Sequence, residues 1–298
     1  MADTPNTWMD WFGKKAWENK EAFFAWVRAW FSGKNPSSAD KAEEQPTVAH
    51  ERGVLVIGPG GVGKSTFGKL ISGDADLLFD LPQNYDESVD TEIHPTGAPA
   101  GTGIIIPPGQ ERRRPPTWPE LFQALAAGKF RGVIFVVAYG YHNHEIGQGV
   151  SYKEHPLYRQ QTGGKSKQKF LMDFLAVRRQ DEMAVLKQLM PYLIAAPGKS
   201  WFLTLVTKQD LWWNSRSEVE EYYRDGEYGS LIAELAKQKP PTSFKNELVL
   251  ASMTIRNFKT GRDELLQPNT AGYDLVEHGN SLISLFKVFD SLREWDVK

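Results

Sequence analysis

The sequence predicts an α/β protein: a mostly parallel central sheet with helices on both faces, preceded by an N-terminal aromatic helical segment. From residue 53 onward, short β-branched runs alternate with longer amphipathic stretches, which is the pattern of parallel strands joined by helices. The first apolar run leads into a glycine-rich turn and then into one of these helices. Residues 1–31 differ, because they hold nine aromatic side chains, five of them tryptophans, at helical spacing.

Each element is predicted from its apolar periodicity and from the turn residues that bound it. The predicted strands are residues 53–57, 103–106, 133–138, 202–207 and 247–251. The predicted helices are residues 64–73, 167–195, 228–237 and 274–295.

Composition excludes several classes of protein. The 298 residues carry 35 basic and 37 acidic side chains, a net charge of -2, so no overall positive field draws the chain to nucleic acid. Cysteine is absent, which rules out disulfides and thiolate metal sites. The longest purely apolar run, residues 133–139, is far shorter than the roughly 20 residues of a membrane span. Residues 1–13 do not resemble a secretory signal, and we therefore expect a cytoplasmic protein.

Three regions are predicted: an aromatic amphipathic helical segment (1–34), a flexible polar linker (35–50) and an α/β domain (51–298) with an insertion around 141–169. The first region carries five basic and four acidic side chains. This near-neutral balance and its tryptophans favour docking to a protein partner or to a second copy of the chain. Folding back onto the domain is the second interpretation. Contact with a membrane surface is the third, because membrane-surface helices usually have a more basic polar face.

The strongest motif is GPGGVGKST at residues 58–66, which fits the pattern G-x-x-x-x-G-K-[ST] between a strand and a helix. Glycines allow successive N–H groups to turn toward phosphate oxygens, and the helix adds the positive end of its dipole. Lys64 is expected to neutralise the β- and γ-phosphates, and the Ser65 hydroxyl to ligate Mg²⁺. An ordinary glycine-rich turn is the alternative, but both flanks fit the motif. The predicted phosphate-binding residues are Gly58, Gly60, Gly61, Val62, Gly63, Lys64, Ser65 and Thr66.

A second motif, Thr207-Lys208-Gln209-Asp210, ends the apolar strand WFLTLV. With it the chain resembles the guanine-nucleotide-binding domain of the Ras-like and translation-factor-like P-loop GTPases, whose base-reading motif is [NT]KxD. The resemblance implies that Asp210 accepts hydrogen bonds from the guanine ring N–H and amino group. It also implies that Lys208 packs its stem on the purine and that Thr207 replaces the commoner asparagine. Ser252 and Met253 occupy the place of the loop whose backbone contacts the guanine carbonyl.

The switch region departs from the family pattern D-x-x-G. The strand at 103–106 runs into Pro107-Pro108-Gly109-Gln110. The resemblance implies that Gly109 senses the γ-phosphate and that Gln110 positions the attacking water. Gln110 and Lys64 are the predicted catalytic residues. Ile106 stands where the family has its aspartate. Isoleucine cannot accept a hydrogen bond from Mg²⁺-bound water, so looser metal binding is expected; a plain proline-glycine loop is the alternative.

Two further features near the switches leave alternatives open. The first-switch metal ligand is predicted to be Thr91, with Thr96 and Thr102 as rivals. The arginines at 112–114 either include an internal arginine finger or form a solvated or partner-facing stretch, which is the favoured interpretation. The run Tyr141-His142-Asn143-His144-Glu145 has the look of a metal-ligand cluster, but a surface loop near the nucleotide or a partner is favoured.

Together these features predict a GTP-binding molecular switch that uses Mg²⁺ to hydrolyse GTP slowly. The alternative is a catalytically weak, GTP-dependent scaffold that docks a partner through its N-terminal helix; Ile106 favours the scaffold and Gln110 the enzyme. An ATPase would need another base pocket, and Asp80 would then be a candidate for its metal-organising carboxylate. Thr207–Asp210 argues against that third interpretation.

Overall fold

A computed structural model describes residues 53–71, 90–95, 103–142, 150–162 and 164–297. The predicted aromatic segment, the linker, Asp80, Thr96 and Thr102 lie outside these ranges.

Six strands form one central sheet in the spatial order β2-β3-β1-β4-β5-β6. Every neighbouring pair is parallel except β2 and β3, which are antiparallel. Two further short strands, β7 and β8, pair as a separate antiparallel ribbon. The strands are β1 (Gly53–Ile57), β2 (Glu92–Pro95), β3 (Gly103–Ile106), β4 (Phe130–Val137), β5 (Ser200–Val206), β6 (Phe244–Leu250), β7 (Phe258–Lys259) and β8 (Leu265–Gln267).

The predicted strands are confirmed, two of them with the expected bounds. β1 and β3 match the prediction, whereas β4, β5 and β6 begin two or three residues earlier and end one residue earlier. Their first residues include Arg131, Ser200 and Lys245, and these polar side chains hide the strand signal that tertiary pairing supplies. β2, which is not among the predicted strands, starts directly after Thr91.

The helices in the described ranges include all four that the sequence predicts. The 29-residue helix over 167–195 has the predicted bounds, and the others differ by one or two residues or reach the limit of the described range. The helices are α1 (Lys64–Ile71), α2 (Arg114–Ala126), α3 (Pro156–Arg159), α4 (Lys167–Ala195), α5 (Gln209–Trp212), α6 (Arg216–Arg224), α7 (Glu227–Lys237) and α8 (Leu275–Val297).

Helix α2 was not predicted because its sequence begins RPPTWP. Pro115 and Pro116 occupy the first turn, where the missing N–H groups would have no partner inside the helix, so both are tolerated. Phe122 of α2 packs against Tyr192 of α4 with ring centroids 5.0 Å apart. The apolar face of α2 therefore compensates for its poor intrinsic propensity.

Helices cover both faces of the sheet, as the sequence predicts. Trp201 on β5 packs edge-on against Phe289 of α8, with ring centroids 5.9 Å apart. The next residue, Phe202, stacks with Phe135 of β4, which in turn stacks with Tyr228 of α7. Because consecutive strand residues point to opposite faces, α7 and α8 lie on opposite sides of the sheet. No helix within the described ranges combines the length and apolar character that a membrane crossing requires.

Candidate functional site

The loop between β1 and α1 has the backbone that the phosphate motif requires. Gly58, Gly61 and Gly63 have positive φ angles of 154°, 72° and 103°. At Gly58, an added Cβ would lie 2.1 Å from the carbonyl oxygen of Val136 on β4, so no other residue fits there without moving the sheet. Alternating positive φ angles turn successive N–H groups into a concave anion-binding surface. The loop also ends at the N-terminus of α1, where the helix dipole favours negative charge.

Lys64 lies folded over this loop. Its Nζ donates hydrogen bonds to the carbonyl oxygens of Gly58 (2.9 Å) and Pro59 (2.8 Å). Burial, reinforced by the nearby charge of Arg114 and opposed by that of Glu92, lowers the pKa of Lys64 to about 7. The lysine is therefore placed at the mouth of the loop, where phosphate oxygens would provide the negative charge that its surroundings lack.

The loop after β3 packs directly against the phosphate loop. A Cβ at Gly109 would lie 2.1 Å from Lys64 Nζ and 2.6 Å from the carbonyl oxygens of Gly58 and Pro59. Only glycine allows this approach, and it brings Gly109 against the predicted phosphate loop. Gln110, the predicted water-positioning residue, follows Gly109 and is buried (3% exposed).

Two side chains of α2 hold the loop in this position. Arg114 Nε donates to the Gly109 carbonyl oxygen at 2.9 Å, and Trp118 Nε1 donates to the Pro108 carbonyl oxygen at 2.9 Å. The Arg114 guanidinium also stacks over the Trp118 ring, 4.9 Å from its centroid. The prediction of a solvated stretch was wrong for Arg114, which is half-buried and supports the loop, whereas Arg112 is exposed.

Ile106, which stands at the position of the family's aspartate, is a buried apolar residue (1% exposed). Its neighbour across the antiparallel pair is Glu92 of β2. The Ser65 hydroxyl donates to Glu92 Oε1 at 2.6 Å, and His94 Nε2 lies 3.0 Å from Glu92 Oε2. Thr91 precedes β2 and is exposed; its assignment as a metal ligand stays a prediction.

These donors fit Mg²⁺. In the described part of the chain, no three or more His, Asp or Glu side chains gather into an all-protein metal site. Mg²⁺ seldom needs one, since it keeps several waters and binds through one or two carboxylates together with substrate phosphates. The Ser65 hydroxyl beside the phosphate loop, with a carboxylate 2.6 Å away, is a donor set of this kind.

The TKQD turn at the end of β5 is tied to the phosphate loop. The Thr207 hydroxyl lies 2.6 Å from the Val62 carbonyl oxygen and 3.0 Å from that of Val137. Lys208, in the left-handed region at φ 60°, donates from Nζ to the Gly61 carbonyl oxygen at 2.7 Å and also to that of Tyr141. The two motifs therefore form one continuous site, although 143 positions separate Ser65 and Lys208 in the chain.

Asp210 is buried and held from two sides. Its carboxylate accepts hydrogen bonds from the Ser252 hydroxyl and from the Arg256 backbone N–H, the latter at 2.8 Å. Burial raises the pKa of Asp210, and these hydrogen bonds oppose that rise. Because β5 and β6 are parallel with Val206 opposite Leu250, the turns that follow them meet at one edge of the sheet. Ser252 therefore lies beside Asp210, and Met253, the next residue, is buried.

Glu182 was missed by the sequence analysis. This fully buried carboxylate of α4 accepts hydrogen bonds from the N–H groups of Ala138 (2.9 Å) and Gly140 (3.1 Å) and from the Tyr223 hydroxyl (2.7 Å). It fixes the turn after β4, which supplies the Tyr141 carbonyl to Lys208. A signal was available, because Glu182 lies on the helical stripe of Leu175, Leu186 and Leu189, where a charged residue needs buried partners.

The interpretation of Tyr141 and His142 as part of a surface loop was wrong. Both are buried, and His142 Nε2 lies 3.0 Å from Glu182 Oε1. Burial lowers the pKa of His142, while the contact with Glu182 opposes this effect. These polar residues were predicted to be solvated because the partner of His142, Glu182 of α4, is 40 positions away in the sequence. Residues 143–149 lie outside the described ranges.

The chain has an α/β fold with a mostly parallel central sheet, in which the glycine loop follows β1 and the TKQD turn follows β5, as the sequence predicts. Its similarity to solved structures is low. One is the mammalian SRP receptor, 17% identical with a TM-score of 0.38 over 68% of this chain and 92% of that one. Another is the SAR1-type small GTPase of Encephalitozoon cuniculi in complex with GDP, 12% identical with a TM-score of 0.37 over 96% of both chains. A third is the SRP receptor SRb-GDP of Chaetomium thermophilum, 16% identical with a TM-score of 0.36 over 67% of this chain and 88% of that one. No family model and no curated protein matches the sequence.

Proposed function

We propose that the protein is a molecular switch that binds GTP and hydrolyses it slowly to GDP and phosphate with the help of Mg²⁺. The observation that carries this proposal is the joined site: Asp210 is oriented by Ser252, and Thr207 and Lys208 contact the phosphate loop itself. A base-reading carboxylate at a fixed distance from a phosphate cradle supports recognition of a nucleotide by both of its ends.

Each residue of the site has a physical role in this proposal. The loop N–H groups and Lys64 bind the phosphates, and Asp210 accepts hydrogen bonds that guanine can donate and adenine cannot match. Gln110, enclosed beside Gly109, orients the attacking water. Mg²⁺ would be held by Ser65 and, as predicted, Thr91, and when bound it neutralises charge on the β- and γ-phosphates.

The competing proposal is a scaffold that binds GTP without turning it over. Ile106 favours it, since the family's metal-organising aspartate is missing at this position. The two proposals separate on single-turnover hydrolysis: a switch converts bound GTP to GDP, whereas a scaffold releases GTP intact.

Base selectivity is the test of nucleotide identity. We expect wild-type protein to prefer GTP over ATP by roughly 10⁴-fold or more, because a site built to hydrogen-bond a ligand edge rejects a ligand that lacks it. Asp210→Asn should weaken GTP and improve xanthosine triphosphate, measured by competition against a fluorescent nucleotide. Asp225→Asn changes an exposed aspartate and is the matched control. Equal affinities of the wild type for ATP and GTP would refute the proposal.

We further propose that residues 1–34 dock to a protein partner or to a second copy of this chain. The support is the set of tryptophans and the near-neutral charge of that segment. Deletion of residues 1–45 should leave GTP affinity unchanged and abolish association, followed by light scattering and by pull-down. A deletion variant that is unfolded would show that the segment belongs to the core instead.

A further inference from the structure

The carboxylate missing at Ile106 has a structural counterpart on the next strand. Ile106 and Glu92 are direct partners in the β2–β3 pair, and residues opposite each other in antiparallel strands point to the same face with Cβ atoms about 5 Å apart. Both side chains reach α1: Ile106 approaches Gly68, and Glu92 accepts the hydrogen bond of Ser65. A carboxylate is therefore present on the correct face of the sheet, one strand away from its usual position.

Strand β2 is held close to α1 by a glycine. A Cβ at Gly68 would lie 2.5 Å from Ile106 Cδ1 and 2.6 Å from His94 Nε2. Glycine weakens a helix interior, and here it provides the space that lets both strands pack against α1. This close approach allows the Glu92 side chain to reach Ser65.

His94 orients the carboxylate. It lies two residues after Glu92 on the same strand, and therefore on the same face, with Nε2 3.0 Å from Glu92 Oε2. Oε1 is left toward Ser65, at 2.6 Å. A carboxylate held by one oxygen and presented with the other is the arrangement that outer hydrogen bonds impose on metal-binding carboxylates.

We propose that Glu92 is the metal-organising carboxylate of this protein and that Ser65 Oγ and the Glu92 carboxylate hold one hard divalent cation, Mg²⁺ or Mn²⁺, beside the bound nucleotide. The inference rests on the proposed function, because the phosphates supply further ligands. It replaces the expectation of a looser metal site with one in which the ligand has moved between paired strands. The hydrogen bond between Ser65 and Glu92 is exchanged for two oxygen contacts to the cation.

The experiment measures metal binding directly in the full-length protein. Immobilisation of Mn²⁺ is followed by electron paramagnetic resonance in the presence of GTP, and the Mg²⁺ dependence of fluorescent GTP affinity is titrated in parallel. Glu92→Gln keeps the shape and an acceptor for Ser65 but removes the charge. We expect it to weaken apparent metal affinity about 10–100-fold. Glu120→Gln, an exposed glutamate on α2, should behave as wild type.

A second variant moves the carboxylate back. In the Glu92→Gln background, Ile106→Asp should restore most of the metal affinity, whereas Ile106→Asn should not. Thermal melts of each variant separate loss of metal from loss of fold, and recovery in the Ile106→Asp variant cannot come from a merely structural effect of Glu92.

The outcomes distinguish this inference from the proposed function. Wild type that binds GTP with a Mg²⁺ dependence equal to that of Glu92→Gln would overturn the role of Glu92 and leave the GTP proposal intact. Tighter metal binding by Glu92→Gln would show that Glu92 blocks Ser65, which also overturns it. Wild-type protein that neither binds GTP nor immobilises Mn²⁺ would refute the proposed function and this inference together.

Discussion

The proposed base end of the site, at the TKQD turn, and its proposed phosphate end, at the glycine loop, are built from contacts of different origin. At the base end, residues of two motifs contact each other: Asp210 after β5 accepts the hydrogen bond of Ser252 after β6. At the phosphate end, Ser65 of the motif contacts Glu92, which belongs to none. The first contact follows from two parallel strands ending at the same edge, and the second from the register of an antiparallel edge pair. A motif position can therefore lose its chemical group while the site keeps it, provided that a paired strand supplies the group.

The largest expected effect is at the phosphate end. Lys64→Ala should weaken nucleotide binding on the order of 1,000-fold, since charged hydrogen bonds are worth about 1.5–3 kcal/mol each and Lys64 is expected to contact two phosphates. Equilibrium titration with fluorescent GTP measures this. Lys69→Ala, at an exposed lysine of the same helix, is the control and should leave binding unchanged. A Lys64→Ala variant that binds GTP normally would show that Lys64 does not bind the phosphates.

The rate of GTP hydrolysis tests the phosphate end separately from GTP affinity. Gln110→Ala should lower single-turnover hydrolysis on the order of 100-fold, because a misplaced nucleophile costs about this much. GTP affinity should be unchanged. Gln123→Ala, an exposed glutamine of α2, is the matched control. If the Gln110→Ala variant turns over GTP as fast as wild type, the scaffold proposal gains.

Acidic pH should lower the free energy of unfolding through His278, which lies behind the base end. Burial lowers the pKa of His278 from 6.5 to about 4, and its ring packs near Tyr273, whose hydroxyl lies 3.5 Å from Gln209 Oε1. Below about pH 6.5, His278 is protonated in the unfolded chain but not in the folded protein. The free energy of unfolding therefore decreases as the pH is lowered from 6.5 to about 4.

For His278 alone, this loss is about 2 kcal/mol between pH 7 and pH 5. Urea unfolding at the two pH values measures it. In the His278→Gln variant the difference between the two should shrink by that amount, whatever the variant's stability at pH 7. An unchanged difference would show that His278 titrates normally.

The smallest effect is expected at the contact that orients Asp210. Ser252→Ala should weaken GTP about tenfold, the value of one hydrogen bond to a charged group, and reduce preference for guanine. Affinities for GTP and inosine triphosphate measure both. Ser217→Ala, an exposed serine, is the control. A loss as large as that of Asp210→Asn would mean that Ser252 contacts the nucleotide itself.

Much of the fold was predictable because local sequence carried its signal. The helix over 167–195 and the strands β1 and β3 have the predicted bounds, since their apolar residues recur at the helical or extended period. Helix α2 was not predicted because its prolines disfavour a helix, and tertiary packing is what stabilises it. The role of Glu182 was not predicted because its charge interrupts an apolar helical stripe, and its hydrogen-bond partners lie on other elements.

The sequence by itself determined the glycine loop after β1 and the TKQD turn after β5. Glycines at 58, 61 and 63 are required by positive φ angles, and the order of the two motifs along the chain fixes which strand ends carry them. Only the tertiary structure decided that Glu92 accepts a hydrogen bond from Ser65. β2 is a four-residue edge strand, EIHP, without apolar alternation, so no local pattern sets its register. The packing of His94 and Ile106 against Gly68 brings β2 close to α1, and register then decides which side chains meet across paired strands.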